Sequence, residues 1–293
     1  MELRHLEYFK EVCRSGSFTK AASNLYVAQP VVTNAILKLE AELNVRLLHR
    51  SNKSVTLTNE GQLFLTRIES LLELADDIHK EMRDCNSHNS GSLRLGIPPQ
   101  IGNRLFPYVF IHFNKRYPDL NLIVTEENSS CIISMVAKGE LEVGIVVLPE
   151  TPLENVQSQT LFQQQIVLCV GTGHPLRGRE TVALSELRNE KFIMRKPGSL
   201  QRDIMIQRCQ ACGFTPNIIF SSSQIQTIRT LVAHNVGISF LMQMIVLDER
   251  KIRPISLKDP ILLNIGVVWK KDKYISKAAQ AFIDFVCTTW KPA

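Results

Sequence analysis

A short polar stretch divides the sequence into two parts whose hydrophobic patterns differ. Residues 86–92, Asn-Ser-His-Asn-Ser-Gly-Ser, are small and polar and predict a hinge. Before this stretch, apolar residues recur at helical spacing, whereas after it strand-like apolar runs alternate with helical ones. The chain of 293 residues therefore predicts two or three domains, with an all-helical part preceding an α/β part.

The first 58 residues carry the signals of three short helices. Apolar residues from Leu3 to Val12 form one helical face, which ends at Gly16. Ser17 is positioned to cap the second helix. Pro30 falls in the first turn of the third helix, where its missing N–H costs nothing. The predicted buried face of the third helix is Val32, Ile36, Leu39 and Leu43.

A predicted hairpin completes this domain. Short apolar stretches at 45–48 and 55–57 flank a polar tip at 50–54, which is the pattern of a two-stranded wing. Two short helices joined by a tight turn and followed by a wing predict a winged helix-turn-helix domain over residues 1–58. Such a domain binds DNA, but the same pattern also fits a small helical domain that binds another protein.

The polar face of the third helix is the predicted DNA-reading surface, because the N-terminal residues of such a helix face base edges in the major groove. Gln29 and Asn34 can pair with adenine, and the methyl group of Thr33 can contact thymine. Three basic residues are placed to meet phosphates or a minor groove. The predicted DNA contacts are Gln29, Pro30, Thr33, Asn34, Lys38, Arg50 and Lys53.

Residues 59–88 predict one long linker helix. Its apolar seam follows heptad spacing, at Phe64, Ile68, Leu71, Ala75, Ile78 and Met82. About 30 helical residues span roughly 45 Å at ~1.5 Å each. Pairing with a second copy of the helix would cover the seam and make the protein a homodimer. The alternative is that the helix packs on its own domain.

Beyond the hinge, the order of elements predicts a parallel sheet with right-handed crossovers. The predicted strands are 93–97, 120–126, 143–147, 166–170, 192–194, 217–220, 238–241 and 262–269. The predicted helices are 102–117, 131–137, 199–212, 224–235 and 276–290.

Several motifs resemble the LysR-type transcriptional regulators. The run GSFTKAASNLYVAQP at 16–30 is similar to the DNA-binding domain of that family, as are the segments 39–43, 46–50 and 55–61. In the second half the resemblance rests on four segments: 91–97, 139–145, 173–176 and 237–241.

The resemblance implies a C-terminal effector domain of two lobes, similar to periplasmic binding proteins. The final strand and helix would return to the first lobe, which gives residues 89–162 and 268–293 as lobe I and 163–267 as lobe II. It also implies a transcription regulator that binds promoter DNA, dimerises through its linker helix and usually forms tetramers. A small-molecule co-inducer and RNA polymerase are the other implied partners.

Three residues depart from the family pattern. Ala28 stands where serine is commoner, so the recognition helix loses a side-chain cap that contributes ~1 kcal/mol. Asn34 stands where a basic residue or glutamine is frequent. Asn44 stands where glycine is usual, and asparagine tolerates a positive φ better than most residues.

The effector site is predicted at the carboxyl ends of strands and the N-termini of helices. Free helix N–H groups there favour an anion. The predicted effector-binding residues are Pro99, Gln100, Ile101, Asn128, Ser129, Arg195, Ser199, Gln224 and Thr227. Because Pro98 and Pro99 lack N–H donors, an alternative is that this loop only shapes the turn and the cleft binds weakly or not at all.

The Cys209-Gln210-Ala211-Cys212 pair offers a competing function as a thiol-based redox sensor or oxidoreductase. The pair precedes Gly213 and so is predicted at a helix C-terminus, where the helix dipole disfavours a thiolate. In peroxide-sensing members of the family, one reactive cysteine lies near the start of this helix and another near its end. Ser199 occupies the first of these places, and Cys209 lies near the second.

Charge and composition give weaker constraints. The net charge of +6 is unevenly distributed, with +3 over residues 1–57, −4 over 58–88 and +6 over 250–293, so the total is poor evidence for DNA binding. We find no catalytic constellation, metal-ligand spacing or cofactor motif, and we expect no enzyme. We predict a cytoplasmic protein, because the sequence shows no membrane span and no signal peptide, and its cysteines are odd in number and scattered. A transport-linked binding protein whose head contacts protein is the remaining alternative.

Overall fold

The computed structural model describes residues 1–50, 55–86, 91–246 and 250–289. The chain forms two compact units, Met1–Asn86 and Ser87–Ala293. The change of pattern in the sequence falls at this division. Residues 87–90 of the predicted hinge lie outside the described residues.

The first unit is a winged helix-turn-helix followed by a long helix, as predicted. Its elements are α1 (Leu3–Ser15), α2 (Phe18–Asn24), α3 (Gln29–Leu43), β1 (Leu48–Arg50), β2 (Val55–Leu57) and α4 (Asn59–Asn86). Gly16 ends α1 with a φ of 63°, and the Ser17 side chain caps α2 by accepting from the N–H of Lys20. Asn44 ends α3 with a φ of 53°. The first wing strand begins at Leu48 and not at residue 45.

The core of the first unit lies between the three short helices and the start of α4. Phe9 is fully buried, and its ring meets that of Phe64 edge to face with centroids 5.3 Å apart. Val32, Ile36 and Leu39 are buried as predicted. Leu43 was predicted on the same face but is 38% exposed, because it is the last residue of α3 and its side chain lies at the margin of the core.

The predicted heptad seam of α4 divides into two parts. Phe64 and Ile68 pack into the core of the first unit. Further along the helix, large apolar side chains remain exposed: Leu71, Leu74, Ile78 and Met82. The first part of the seam therefore stabilises the helix-turn-helix, and only the later part is available to a partner.

The second unit has two lobes. The first lobe contains β3 (Gly91–Gly96), α5 (Pro99–Arg116), β4 (Leu120–Thr125), α6 (Ser129–Ala137), β5 (Val143–Val147) and α10 (Lys277–Thr289). The second lobe contains β7 (Thr181–Val182), β8 (Lys191–Arg195), α7 (Leu200–Ala211), β9 (Asn217–Ser222), α8 (Ile225–Ala233), β10 (Ser239–Met242) and α9 (Gln243–Val246). Short 3-10 helices at Pro175–Gly178 and Leu184–Leu187 connect its first elements.

Two long strands, β6 (Val156–Gly171) and β11 (Ile252–Lys270), run through both lobes. They pair antiparallel from Val156 opposite Lys270 to Gly171 opposite Ile252, with a register shift between Ser256 and Ile261. The predicted strands 166–170 and 262–269 cover only parts of them. The predicted lobe boundaries at 162/163 and 267/268 fall inside these strands.

The main sheet has the order β10-β6-β11-β5-β3-β4, with β7 paired to β11. Strand β3 pairs in parallel with both β4 and β5, as predicted from the alternating order. Strand β11 is antiparallel to both β5 and β6, so the sheet is mixed and not wholly parallel as predicted. The pair β8 and β9 forms a separate parallel sheet in the second lobe.

Helix α10 packs against α5 at the end of the chain. The ring of Phe113 lies 5.3 Å from that of Phe282 and 5.4 Å from that of Phe285, edge to face in both cases. This contact packs the last helix of the described chain against α5. Within the described part of the chain, every helix is too short or too polar to cross a bilayer.

Candidate functional site

Helix α3 presents a polar surface along its N-terminal half. Gln29, Pro30, Asn34 and Lys38 are exposed, and Thr33 is half-buried beside the core residue Val32. At about 3.6 residues per turn they lie within the half of the helix circumference that the buried side chains leave open. The five predicted DNA contacts on this helix therefore form one continuous surface.

The Gln29 side chain is fixed by a contact between the two helices of the motif. The hydroxyl of Thr19 in α2 donates a hydrogen bond of 3.1 Å to Oε1 of Gln29. The amide N–H donors of Gln29 have no hydrogen-bond partner among the described residues, and the residue is exposed. Bidentate pairing with adenine needs both the oxygen and the nitrogen of an amide, so it would compete with the bond from Thr19. Gln29 in this rotamer suits an acceptor, such as a guanine edge or a phosphate oxygen.

The wing is held against α3 by a carboxylate. Oε1 of Glu40 accepts hydrogen bonds from the N–H groups of Leu47 at 2.9 Å and Leu48 at 3.2 Å. Arg50 lies in β1 opposite Val55. Lys53, the other predicted phosphate contact of the wing, lies outside the described residues. The sequence does not reveal this role of Glu40, because it depends on contacts with residues 7 and 8 positions further along the chain, beyond the end of α3.

A cavity of about 360 Å³ opens between the two lobes of the second unit. We call it the interlobe cavity. Its wall is formed by Pro99, Glu126, Glu127, Asn128, Arg195, Lys196, Pro197, Gly198, Ser199 and Ser223. These residues follow β3, β4, β8 and β9 at their carboxyl ends, which is where the sequence analysis predicted a ligand site.

The structure places four of the nine predicted effector residues on this wall: Pro99, Asn128, Arg195 and Ser199. Gln100 and Ile101 are buried in the first turn of α5, Ile101 completely. The hydroxyl of Ser129 accepts a hydrogen bond of 3.1 Å from the N–H of Val147.

The remaining two predicted effector residues, Gln224 and Thr227, hydrogen-bond to each other at 3.2 Å. Neither belongs to the wall of the interlobe cavity. Five of the nine predicted effector residues are therefore absent from the wall of the interlobe cavity.

Arg195 is the most buried charged residue of the wall, with 8% of its surface exposed. Its Nη1 donates to the carbonyl oxygen of Ser223 at 2.6 Å, and its Nε has no hydrogen-bond partner among the described residues. Burial lowers the pKa of Arg195, but a guanidinium stays protonated in proteins. Arg202 supports this segment by donating to the Arg195 carbonyl at 2.6 Å and to Ser221 Oγ at 2.9 Å.

Helices α6 and α7 begin at the cavity, and they differ in whether a side chain accepts hydrogen bonds from their first N–H groups. Asn128 caps α6 by accepting from the N–H of Cys131 at 2.8 Å. By contrast, the side chain of Ser199 accepts no hydrogen bond from α7, within the range that the structure describes. A helix N-terminus without a side-chain cap has N–H groups to offer a ligand. The uncapped terminus therefore lies on the Arg195 side of the cavity.

Sequence reasoning missed the other charged residues of the wall. Glu126 and Glu127 directly follow β4, and Lys196 directly follows β8. The rule that ligands bind at the carboxyl ends of strands would have included all three.

A second cavity, of about 480 Å³, lies beside α7 and β11. Its wall includes the apolar residues Leu148, Leu200, Ile204 and Leu262, with Arg208 among its polar members. None of the nine predicted effector residues belongs to it.

The Cys209–Cys212 pair lies at the end of α7, as predicted. Cys209 is fully buried, and burial together with the nearby Cys212 raises its pKa to about 11. Cys212 is exposed and ends the helix. Across the described residues, no three His, Cys, Asp or Glu side chains are grouped closely enough to hold a metal ion.

A winged helix-turn-helix joined to a two-lobed unit with an interlobe cavity defines the class of ligand-responsive DNA-binding regulators. The family of bacterial regulatory helix-turn-helix proteins, lysR family, matches residues 3–62, and the LysR substrate binding domain matches residues 86–291. The chain belongs to the LysR family of transcriptional regulators. It is a DNA-binding transcriptional regulator with an effector-binding domain, and the members of this family are regulators rather than enzymes.

Similar proteins cover essentially the whole chain. The HTH-type transcriptional regulator YwbI of Bacillus subtilis is 33% identical over 296 residues, which is 100% of this chain and 98% of that protein. The transcriptional dual regulator OxyR of Escherichia coli is 28% identical over 251 residues, 86% of this chain and 82% of that protein.

Two solved structures show the same fold. A full-length OxyR from Pseudomonas aeruginosa has a TM-score of 0.72 at 23% identity, and the match covers 98% of this chain and 94% of that one. The LysR family regulator CbnR has a TM-score of 0.63 at 23% identity, with 98% of both chains covered.

Proposed function

We propose that the protein binds operator DNA through α3 and the wing, and that a small anionic molecule in the interlobe cavity controls this binding. The observation that carries the proposal is the pairing of a buried arginine, Arg195, with an uncapped helix N-terminus on one wall of that cavity. Both features stabilise negative charge.

The DNA contacts are proposed to be Gln29, Pro30, Thr33, Asn34 and Lys38 on α3, with Arg50 and Lys53 on the wing. The exposed face of α3 supports this assignment. Changing Asn34 to Ala should relax the preference for the operator over random DNA. Changing Lys38 to Gln should weaken binding to all sequences and reduce the salt slope by about one unit, because one phosphate contact is lost.

Fluorescence anisotropy over a salt series tests these contacts, with the upstream region of the adjacent operon as the specific DNA. Lys251→Gln is a matched control, since Lys251 is an exposed lysine of the second unit. A salt slope that Lys38→Gln and Lys251→Gln change equally would contradict the proposed role of α3.

A homodimer through α4 is proposed because the later part of its seam is exposed. Ile78 lies on the seam and is 51% exposed. Leu63, 62% exposed, lies off the seam on the same helix. Ile78→Glu should shift sedimentation toward the monomer and Leu63→Glu should not. A dimer would place two heads on a pseudo-palindromic site. Equal effects of the two variants would argue against this interface.

Tetramers are proposed to form when two dimers associate through exposed apolar side chains of the second unit, such as Ile111 and Ile123. RNA polymerase is proposed as the partner through which the bound protein acts on transcription. Sedimentation of Ile111→Glu tests the first point, since loss of the larger species with the dimer intact is expected. Co-purification with polymerase on promoter DNA tests the second.

Control by a small molecule is tested with a reporter under the upstream region of the adjacent operon. Arg195→Gln should abolish the response to the inducing metabolite while operator affinity stays intact. Arg208→Gln is the control, because Arg208 is an arginine of the same lobe that lines the other cavity. An unchanged response in Arg195→Gln would refute the proposed site.

A second candidate is a thiol-based redox regulator, which is favoured by the relatives named as hydrogen peroxide-inducible genes activators. The thiol chemistry of this chain supports it less well. The pKa of Cys209 is raised to about 11 by burial, so its thiolate is scarce at neutral pH. Thiol titration before and after peroxide should show Cys209 unreactive. Rapid oxidation that Cys209→Ser abolishes would favour the redox candidate instead.

A further inference from the structure

The two walls of the interlobe cavity carry opposite charges. Glu126 and Glu127 lie on the wall of the first lobe, and Arg195 and Lys196 lie on the wall of the second lobe. Within the described ranges, none of these four side chains forms an ion pair within 4.0 Å. The charges of the cavity are therefore not used to hold the two lobes together.

The first-lobe wall is less suited to an anion than the second-lobe wall. The N-terminus of α6 is already capped by Asn128. Helix α5 starts at Pro98-Pro99, which supply no N–H donors. A Cβ atom built at Gly102 in its first turn would lie 3.8 Å from Oε1 of Glu126. The carboxylate of Glu126 thus already occupies the region in which the helix dipole favours negative charge.

The second-lobe wall is complementary to a carboxylate. Nε of Arg195 has no partner among the described residues, although the side chain is more than nine-tenths buried. The first-turn N–H groups of α7 have no side-chain cap from Ser199. Lys196 adds a second positive charge beside them. This wall therefore holds donors that the protein itself does not satisfy.

We infer that the effector is a small zwitterion of the α-amino acid class. Its carboxylate binds Arg195, Lys196 and the first turn of α7, and its ammonium group binds Glu126 and Glu127. A simple anion would leave the two carboxylates of the first-lobe wall without a counter-charge, whereas an ammonium group on the same molecule supplies one. The volume of about 360 Å³ is at the small end of ligand sites, ~300–1,000 Å³. This inference rests on the proposed function of the cavity.

A zwitterion also explains how binding could act on the arrangement of the lobes. A ligand shifts a conformational equilibrium only if it binds one state better than the other. A molecule with one charged group for each wall makes both contacts only when the two lobes are close. A monoanion contacts mainly the second lobe, so its affinity depends less on closure.

The test uses the full-length protein and isothermal titration calorimetry. The probes are the twenty common L-amino acids, each paired with the carboxylic acid that lacks its amino group and the amine that lacks its carboxylate. At least one amino acid should bind ten or more times tighter than both of its analogues. Failure of all twenty to bind, or equal affinity for an amino acid and its deaminated acid, would overturn the inference.

Two carboxylate variants locate the ammonium site. Glu127→Gln alone, and together with Glu126→Gln, should weaken amino acid binding at least tenfold without weakening the deaminated acid. Glu127 is exposed, so the single variant should fold normally even if the change at Glu126 disturbs α5. Glu154→Gln is the matched control, since Glu154 is an exposed glutamate outside the cavity. If Glu127→Gln, the double variant and the Glu154→Gln control all lost the same amount of amino acid affinity, the assignment of the ammonium site would be refuted.

Arg195→Gln separates this inference from the proposed function. If deaminated acids bind in a manner that depends on Arg195 but not on Glu126 or Glu127, the anion site stands and the zwitterion is wrong. If neither set of probes binds and the reporter response survives Arg195→Gln, both the inference and the proposed effector site are wrong.

Discussion

The N-terminus of the recognition helix lacks a polar cap, and replacing Ala28 with Ser should supply one. Ala28 is the N-cap residue of α3, with φ −72° and ψ 141°, which is the extended backbone of capped helices. Pro30 has no N–H, so the first N–H available to a serine hydroxyl is that of Val31, which now bonds to the Ala28 carbonyl at 3.0 Å. A serine cap contributes ~1 kcal/mol, or about a fivefold change in an opening equilibrium.

Hydrogen exchange of the α3 amides in the full-length protein measures this change. Ala28→Ser should slow exchange across α3 about fivefold. Ala41→Ser makes the same chemical change at an exposed position inside the same helix. There serine has the lower helix propensity, by ~0.5 kcal/mol, so exchange should become faster. Equal rates in Ala28→Ser and the parent protein, or slowing in both variants, would refute the capping argument.

Two further predictions concern the stability of the protein: one tests a close backbone contact at Gly61, and the other tests the ion pair between Glu11 and Arg14. Gly61→Ala would place a Cβ atom 2.0 Å from the carbonyl oxygen of Leu47, so urea unfolding should show a loss of ~3 kcal/mol or more. Gly178→Ala, which meets no atom within 4 Å, should be nearly neutral. The bonds from Arg14 at 2.8 and 2.9 Å lower the pKa of Glu11 below its ordinary value of 4.5. These bonds stabilise the folded protein above pH 4.5, and this stabilisation is lost as the pH falls through the lowered pKa of Glu11. Glu11→Gln should therefore cost ~1 kcal/mol or less at pH 7 and nothing in strong acid.

The helix-turn-helix was predictable because its signals are local. Gly16, Ser17 and Asn44 mark helix ends by their own backbone preferences, and each acts where it was predicted. Tyr26 was not predicted to be unusual, yet it has a φ of 55° and is 96% exposed. A tyrosine has no intrinsic preference for this conformation; the turn between α2 and α3 imposes it.

The long strands were predicted only in part because their local signals oppose a strand. Proline is rare inside strands since it cannot donate to the ladder, and β11 contains Pro254 and Pro260. Pro260 lies in the register shift, where no ladder pairing is needed. The first half of β6, which includes Gln157 and Gln159, has no alternating apolar pattern. Pairing with a distant segment makes these stretches strands, and a single sequence does not reveal that pairing.

The interlobe cavity lies where the strand-end rule predicts a ligand site, but only some of the predicted residues line it. The rule does not tell which side chain after a strand is exposed, so Gln100 and Ile101 were included although both are buried. The charges of Glu127 and Lys196 were missed for the opposite reason, since exposed charged residues are usually solvated surface.

The place of β11 in the main sheet sets the order in which the chain can fold. Strand β11 lies between β6 and β5 and joins residues as distant as Val156 and Lys270. Until it is present, β5 and β6 each lack a neighbour, and closing so long a loop slows folding. The first unit needs only residues up to Asn86. During synthesis, the DNA-binding surface can therefore form well before the unit that is to control it.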